Sequence, residues 1–320
     1  MSGLAGPGGS GADGVRLGLW PTPLQAADAA AGIYVKREDL CGFAFGGSKV
    51  RALEPVLAEA RGRGARSIVT GGRRDSNWAA LAAAAAAGLG LGCHCVLDPG
   101  PAETLAMALA RRAGATLHMA PRPGKEAVNA MISSIARDLG PSAYAVPRAG
   151  ATAGGVAGYC GLARELLEQM PSAAFDVVVA VGSGGACAGL LLGFEEAAGP
   201  AEDGDGVRVV GVPAGKTPLE AAQAVRRLAR LARDRQLSQA DPGSALRGLY
   251  IRGQAGARSG QADRIAASCG VLLDPVFAGP AWHAACAGPP GPGRPGSGRP
   301  VVLVASGGLP AYFDALAAAR

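Results

Sequence analysis

The tetrapeptide Gly46-Gly47-Ser48-Lys49 is a place in this chain where residue types and spacing could do chemistry. It follows the run Tyr34-Val35-Lys36-Arg37-Glu38-Asp39-Leu40 and opens a helix-like segment from Val50. Glycine lacks a Cβ and takes positive φ at little cost, so paired glycines let backbone and ligand approach closely. A lysine at the end of such a turn can be a nucleophile, a base or an anion clamp, or a surface side chain on an ordinary turn.

Other glycine turns also close expected strands. Gly182-Ser183-Gly184-Gly185 ends an apolar strand and precedes a helix, so several backbone N–H groups converge where the helix dipole favours an anion such as phosphate. The loop lacks the Lys-Ser/Thr of a Walker loop and is no G-x-G-x-x-G fingerprint; a plain tight turn is the alternative, and nucleotide binding is not specifically indicated. Gly71-Gly72-Arg73-Arg74 leads through Asp75-Ser76-Asn77-Trp78 into an alanine-rich helix, and Ser306-Gly307-Gly308 follows the last apolar run. The C-terminal ends of strands are where open α/β sheets hold their ligands.

The elements that must position these turns alternate. Expected strands are 33–36, 67–70, 92–97, 116–119, 143–146, 175–181, 207–213, 271–273 and 301–305. Expected helices are 25–31, 50–64, 79–87, 104–113, 125–139, 154–170, 186–197, 218–237, 261–269 and 310–319. The first long helix shows the pattern well: Val50, Leu53, Val56, Leu57 and Ala60 have the three-and-four spacing of one buried face. Strands that read as apolar runs and alternate with helices imply an α/β fold with a mostly parallel sheet covered on both faces. The stretch 288–300 carries too many Pro and Gly for any element.

Composition excludes several functions. With 320 residues, 49% of them hydrophobic, the chain can bury a large core in one large or two moderate domains. Its net charge of +6 comes mainly from scattered arginines. The cluster Arg226, Arg227, Arg230, Arg233 and Arg235 has no interleaved aromatics, so it reads as a solvated helix face and not as a nucleic-acid surface. Seven cysteines in mostly apolar surroundings read as reduced core thiols, and Cys93-His94-Cys95 lacks a second ligand pair, so no metal is expected. Residues 1–15 have no basic segment leading into an apolar core and read as a disordered tail; Ala79 to Leu91 is too short to span a bilayer. A soluble cytoplasmic protein with no membrane partner is expected.

Lys-Arg-Glu-Asp-Leu, Gly-Gly-Ser-Lys, Ser-Asn, Gly-Ser-Gly-Gly, Leu-Asp-Pro-Val and Ser-Gly-Gly-Leu-Pro fall in one order between about Pro21 and Phe313. In this the chain resembles the aminocyclopropane-carboxylate deaminase and D-cysteine desulfhydrase family of pyridoxal-phosphate enzymes, within the tryptophan-synthase-β-like fold. The resemblance implies pyridoxal 5'-phosphate as cofactor, a small amino-acid substrate and a homodimer. It implies a large domain from 16–51 plus 161–320 and a small one from 52–160, each an open, mostly parallel sheet flanked by helices. Carried over residue by residue, Lys49 is the Schiff-base lysine, Asn77 the partner of the cofactor's phenolic oxygen, Gly182, Ser183, Gly184 and Gly185 the phosphate loop, and Ser306 the group facing the pyridine nitrogen. An amine suits this role, because it can bond a carbonyl cofactor, be displaced by an amino acid and then take the Cα proton. A neutral serine at the pyridine nitrogen favours β-elimination or β-replacement over chemistry that needs the ring held protonated.

The chain also departs from the family. It has Asp75-Ser76-Asn77-Trp78 where the family usually reads Gln-Ser-Asn-His, Ala255 and Phe277 where tyrosines are usual, Ala186 for a threonine and Pro280 for a lysine. Losing one acid–base group is worth about 10²–10⁴-fold, so the reaction is the least transferable part of the resemblance. Ser76 reads either as a catalytic contact to the substrate or as a helix cap, Asp75 as a new base or, by preference, a second cap. Trp78, Tyr159 and Phe277 are candidates to line the pocket, Tyr159 by approaching the cofactor from its glycine-entered helix, with packing as the alternative for Trp78 and, by preference, a buried structural role for Tyr159. The expected activity is a pyridoxal-phosphate-dependent lyase or deaminase; the alternatives are a β-replacement enzyme and a catalytically degraded cofactor- or amino-acid-binding protein.

Overall fold

A computed structural model describes residues 14–199, 206–252, 260–287 and 299–319. The expectations for the tail before residue 14, for Ala255 and for the 288–298 stretch lie outside these residues. The first half of the chain contains β1 (Leu24–Asp28), β2 (Ile33–Lys36), α1 (Lys49–Gly62), β3 (Ser67–Gly72), α2 (Asn77–Gly88), β4 (Gly92–Leu97), α3 (Leu105–Arg112), β5 (Thr116–Met119), α4 (Lys125–Leu139), β6 (Ala143–Ala145) and α5 (Ala153–Ala157). The second half contains α6 (Cys160–Gln169), β7 (Asp176–Val181), α7 (Gly185–Ala198), β8 (Arg208–Pro213), α8 (Pro218–Asp234), α9 (Pro242–Ala245), β9 (Leu249–Ile251), α10 (Gly260–Ser268), α11 (Ala278–Cys286), β10 (Val301–Val304) and α12 (Leu309–Ala318).

The fold is α/β, built on two sheets. One has the order β1-β2-β10-β7-β8-β9, parallel except for the edge pair β1–β2; the other, β5-β4-β3-β6, is parallel throughout. All strands of the smaller sheet fall between residues 67 and 145. The larger sheet is buried on both faces. Val177, Val179 and Val181 of β7 join the core beneath α1, α6 and α7, while Val178 points with Val210, Val212 and Leu303 into a second core under α10 and α11. Period-two alternation between two apolar layers is why these strands read as unbroken hydrophobic runs.

Several elements differ from expectation. Residues 25–31 were expected as a helix, but Leu24–Asp28 is a strand, pairing Leu24 with Lys36 and Gln25 with Val35. Its alanines favour helix, and edge pairing to β2 overrides so short a local preference. Residues 271–273 form no strand. The helix expected over 154–170 is two, interrupted at Gly158 and Tyr159, and a Cβ at Gly158 would collide with the backbone carbonyl of Arg51. That close approach brings α1 against the α5–α6 junction.

The same helix is anchored by buried charge. Arg51, on the first turn of α1 and 4% exposed, donates from Nε and Nη2 to the Glu38 carboxylate (2.6 and 2.8 Å) and from Nη1 and Nη2 to Glu165 of α6 (2.9 and 2.8 Å). Lys36, fully buried at the end of β2, donates to Glu165 (2.6 Å), Gln169 (2.7 Å) and the Thr22 carbonyl (2.7 Å). Burial opposes the Arg51 charge, but Glu38 and then Glu165 outweigh it and raise its pKa. For Lys36 burial wins and lowers the ammonium's pKa despite Glu165. For Glu165 burial is again the largest influence, yet Arg51 and Lys36 together hold the carboxyl below its ordinary 4.5.

Removing one partner leaves the others charged and dry. Arg51→Met should cost about 3–5 kcal/mol at pH 7, read by chemical denaturation. A depressed carboxyl stabilises above its unfolded pKa and loses that contribution as pH falls through the folded value. The gap between wild type and variant should therefore narrow as pH drops below 4.5.

Candidate active site

Strand order sets the site. Because β10 lies between β2 and β7, with β8 beyond, the segments that follow β2, β10, β7 and β8 stand in a row along the C-terminal edge of the larger sheet. The segment after β2 ends in Gly46 and Gly47, with φ of +74° and +116°. The Gly47 N–H donates to the Glu38 carbonyl at 3.0 Å, and the Ser48 N–H donates to the Ser306 carbonyl at 3.1 Å. A Cβ at Gly47 would stand 2.7 Å from the Ser306 carbonyl oxygen, and one at Gly307 would stand 2.7 Å from the Gly47 Cα. Bare backbone on both sides lets the two turns touch, which brings Lys49 beside Ser306.

The chain has four lysines. Lys36 is sealed in the ionic network, and Lys125 and Lys216 are exposed. Lys49, the first residue of α1, is half-buried, and among the described residues it has no hydrogen-bond or ion-pair partner. It is an amine held at a fixed place and left free.

The 182–185 turn provides the complement. Gly184 is left-handed (φ +95°) where its turn meets α8; a Cβ there would stand 3.0 Å from the Val225 nitrogen. The first helical ladder bond of α7 runs from the Ala188 N–H to the Gly184 carbonyl at 2.9 Å. The N–H groups of Gly185, Ala186 and Cys187 therefore have no acceptor among the described residues, as at any uncapped helix start. The Phe277 ring closes one side: a Cβ at Gly182 would meet its Cε1 at 3.0 Å.

From the smaller sheet comes the turn after β3. Asn77 opens α2, and its Oδ1 is buried with no hydrogen-bond partner among the described residues. The Ser76 Oγ accepts the Ala79 N–H at 3.2 Å, so its hydroxyl caps α2. Asp75 is not a second cap; it accepts both hydrogen bonds of an Arg73 guanidinium at 2.8 and 3.0 Å. Trp78 was a candidate to line the pocket, but at 2% exposed it packs under Gly150 and donates its indole N–H to Thr70 Oγ1 at 2.8 Å. That packing accounts for it. Tyr159 lies buried against α7, where its ring reaches Gly185.

Sequence reasoning did not single out Asp274. Fully buried, it accepts the N–H groups of Val276 (3.0 Å), Phe277 (2.7 Å) and Ala278 (2.8 Å), and a Cβ at Gly308 would strike its carboxylate. It thus holds the Phe277 turn under the Ser306 turn. Burial pushes its carboxyl pKa up, the three N–H groups pull it back, and the charge of Asp75 pushes it up again. The Asp75 turn and the Asp274 turn therefore lie within electrostatic reach of each other. The available signal was Asp-Pro, the side-chain-to-backbone turn chemistry of an Asx turn.

Residues 15–307 match the pyridoxal-phosphate dependent enzyme family. The chain belongs to that family. Curated relatives include a putative 1-aminocyclopropane-1-carboxylate deaminase of Pyrococcus abyssi, 30% identical over 93% of this chain and 92% of its own. Another is a D-cysteine desulfhydrase of Serratia proteamaculans, 31% identical over 88% of each chain. The crystal structure of an ACC deaminase homologue superposes with a TM-score of 0.78 at 28% identity, covering 96% of both chains. The enzyme thus has the tryptophan-synthase-β-like architecture and pyridoxal phosphate as its cofactor.

The residues present fit that cofactor. Free N–H groups at the start of α7 suit its phosphate, the Asn77 Nδ2, with no acceptor among the described residues, suits a ring oxygen as donor, and an unpaired lysine amine suits its aldehyde. Among the described residues no cluster of three or more His, Cys, Asp or Glu side chains could hold a metal ion, and no helix is long and apolar enough to cross a membrane.

The cap formed by the Ser76 hydroxyl has a stability signature. Ser76→Ala should lose about 1 kcal/mol of stability, and Ser76→Asp, also a good cap, should lose little of it. Thermal denaturation of the two variants checks this.

Proposed function

We propose that this enzyme is a lyase acting on a small amino acid, eliminating a β-substituent or otherwise deaminating it, with Lys49 as both the cofactor's covalent anchor and the Cα base. The observation that carries the reading is the unpaired Lys49 amine beside the Ser306 turn, in a row with the open helix start at Gly185. The names of the relatives, deaminase and desulfhydrase, support the reaction class.

The bound cofactor supplies an electron sink that acidifies the Cα–H of an attached amino acid. The chain's own residues do the rest. Gly182, Ser183, Gly184 and Gly185 would hold the phosphate by backbone N–H groups, Asn77 would hold the ring at its phenolic oxygen, and Ser306 would be the partner of the pyridine nitrogen. Lys49, with its amine free, would take the Cα proton of the bound substrate. Ser76 contributes by fixing the start of α2, and through it Asn77. In elimination the Cα proton and the β-substituent leave together as HX, and water then converts the remainder to a 2-oxo acid and ammonia.

A second reading, β-replacement, is favoured by Phe277. Where the family's hydroxyl would stand, an apolar ring faces Gly182, and a site with fewer proton donors leaves room for a second nucleophile to add to the unsaturated product. We further propose the division into a large domain of 16–51 plus 161–320 and a small one of 52–160, a homodimeric assembly and a cytoplasmic location; the segregation of strands 67–145 into one sheet supports the first of these.

Incubating the enzyme with D- and L-amino acids bearing β-thiol or other leaving groups should release a 2-oxo acid with at least one of them. Lys49→Ala should lower that release by about 10²–10⁴-fold or more, as expected for loss of a proton-transfer group. A Lys49→Ala variant with unchanged turnover would sink the assignment, and product carrying an added thiol in place of the 2-oxo acid would favour replacement.

A further inference from the structure

Tyr159 is a buried tyrosine whose hydroxyl the reading above does not use. It stands at the start of α6, with its side chain laid along α7. A Cβ at Gly189 would meet the Tyr159 Cβ at 2.5 Å, while a Cβ at Gly185 would meet Tyr159 Cε2 at 3.7 Å. Those two glycines are four residues apart, about one helical turn. The ring therefore runs back along the first turn of α7, and the hydroxyl, beyond Cε2, comes out at the helix N-terminus. The side chain is 1% exposed, and its oxygen is buried with no hydrogen-bond partner among the described residues.

A phenol can pack in a core, but a buried O–H without a partner is destabilising, and native structures rarely keep one without a use. The ring that carries this unpaired O–H reaches Gly185, the first residue of α7, and the N–H groups of Gly185, Ala186 and Cys187 have no acceptor among the described residues. The glycines make the approach possible, since any side chain at Gly189 would displace Tyr159. The hydroxyl and the three N–H groups can all donate, and the ligand that satisfies several donors at a helix start is an anion.

We propose that Tyr159 donates its hydroxyl hydrogen to an oxygen of the cofactor's phosphate, completing on the α6 side the cradle that the 182–185 turn makes on the other. The residue is thus a determinant of cofactor retention at the phosphate end and does not line the substrate pocket. The inference rests on the reading of 182–185 as the phosphate turn.

The test compares wild type and Tyr159→Phe, which removes one oxygen and keeps the packing. Equilibrium dialysis of the cofactor-stripped proteins against pyridoxal phosphate and against pyridoxal, which lacks the phosphate, separates the two ends of the ligand. A hydrogen bond to a charged acceptor predicts about tenfold weaker binding of pyridoxal phosphate by the variant, unchanged binding of pyridoxal, and a stripped-protein melting temperature equal to or above that of wild type. Equal affinity of both proteins for pyridoxal phosphate would overturn the proposal. So would an equal loss for both ligands, or a variant that is less stable or insoluble, since each gives the hydroxyl a different partner. Wild type that binds no pyridoxal phosphate would instead overturn the phosphate-turn reading itself.

Discussion

The buried ion network of Arg51, Glu38, Glu165 and Lys36 is the constraint on which the site depends. Lys49 lies at the end of a long segment after β2, and such a segment holds a side chain in place only if its far end is tied down. Arg51 does this two residues beyond Lys49, gripping Glu38 at the start of the same segment and Glu165 on α6. Its guanidinium also lies over the Trp20 ring, 3.9 Å from the centroid. Dry ions are costly unless every charge is paired and every donor used. Here the network closes on itself, so the start and finish of the lysine segment, and the helix that follows Tyr159, are fixed relative to one another.

A tie from α12 to α3, and others within the part that carries the smaller sheet, hold the second half of the site. Asp314 of α12 accepts the Leu105 N–H at 3.0 and 3.1 Å at the first turn of α3, a carboxylate at the favourable end of a helix dipole. The Thr104 Oγ1 donates to the Arg74 carbonyl at 2.7 Å, and Arg74 donates to the Gly100 carbonyl. These contacts surround the turn that carries Asp75, Ser76 and Asn77.

Much of this was legible in the sequence. Apolar runs alternating with three-and-four patterns disclosed the parallel α/β architecture, and the strands at 92–97 and 116–119 and the helix at 125–139 fall where the pattern put them. Failures came where pairing partners decide the conformation. The Leu24–Asp28 stretch has no strand pattern of its own and pairs along the edge that β2 offers it; at the break by Gly158, α1 passes too close for any side chain. In the site, glycines announced the turns. Burial, however, decides whether Trp78 lines a cleft or a core, and burial is a property of the assembled fold. The Lys-Arg-Glu-Asp-Leu run illustrates the same limit: its position marked the lysine turn, but that its charges point inward and close a network with Glu165, 114 residues from Arg51, is a long-range fact that no local spacing carries.

The central claim is that one lysine of four carries the cofactor. It is tested most directly by reducing the pyridoxal-phosphate-loaded enzyme with borohydride and mapping the modified peptide by mass spectrometry. The structure predicts that the added mass resides on Lys49, with Lys36, Lys125 and Lys216 unmodified. Stoichiometric label on any of those three, or an enzyme that turns over amino acids with Lys49 unlabelled, would contradict it.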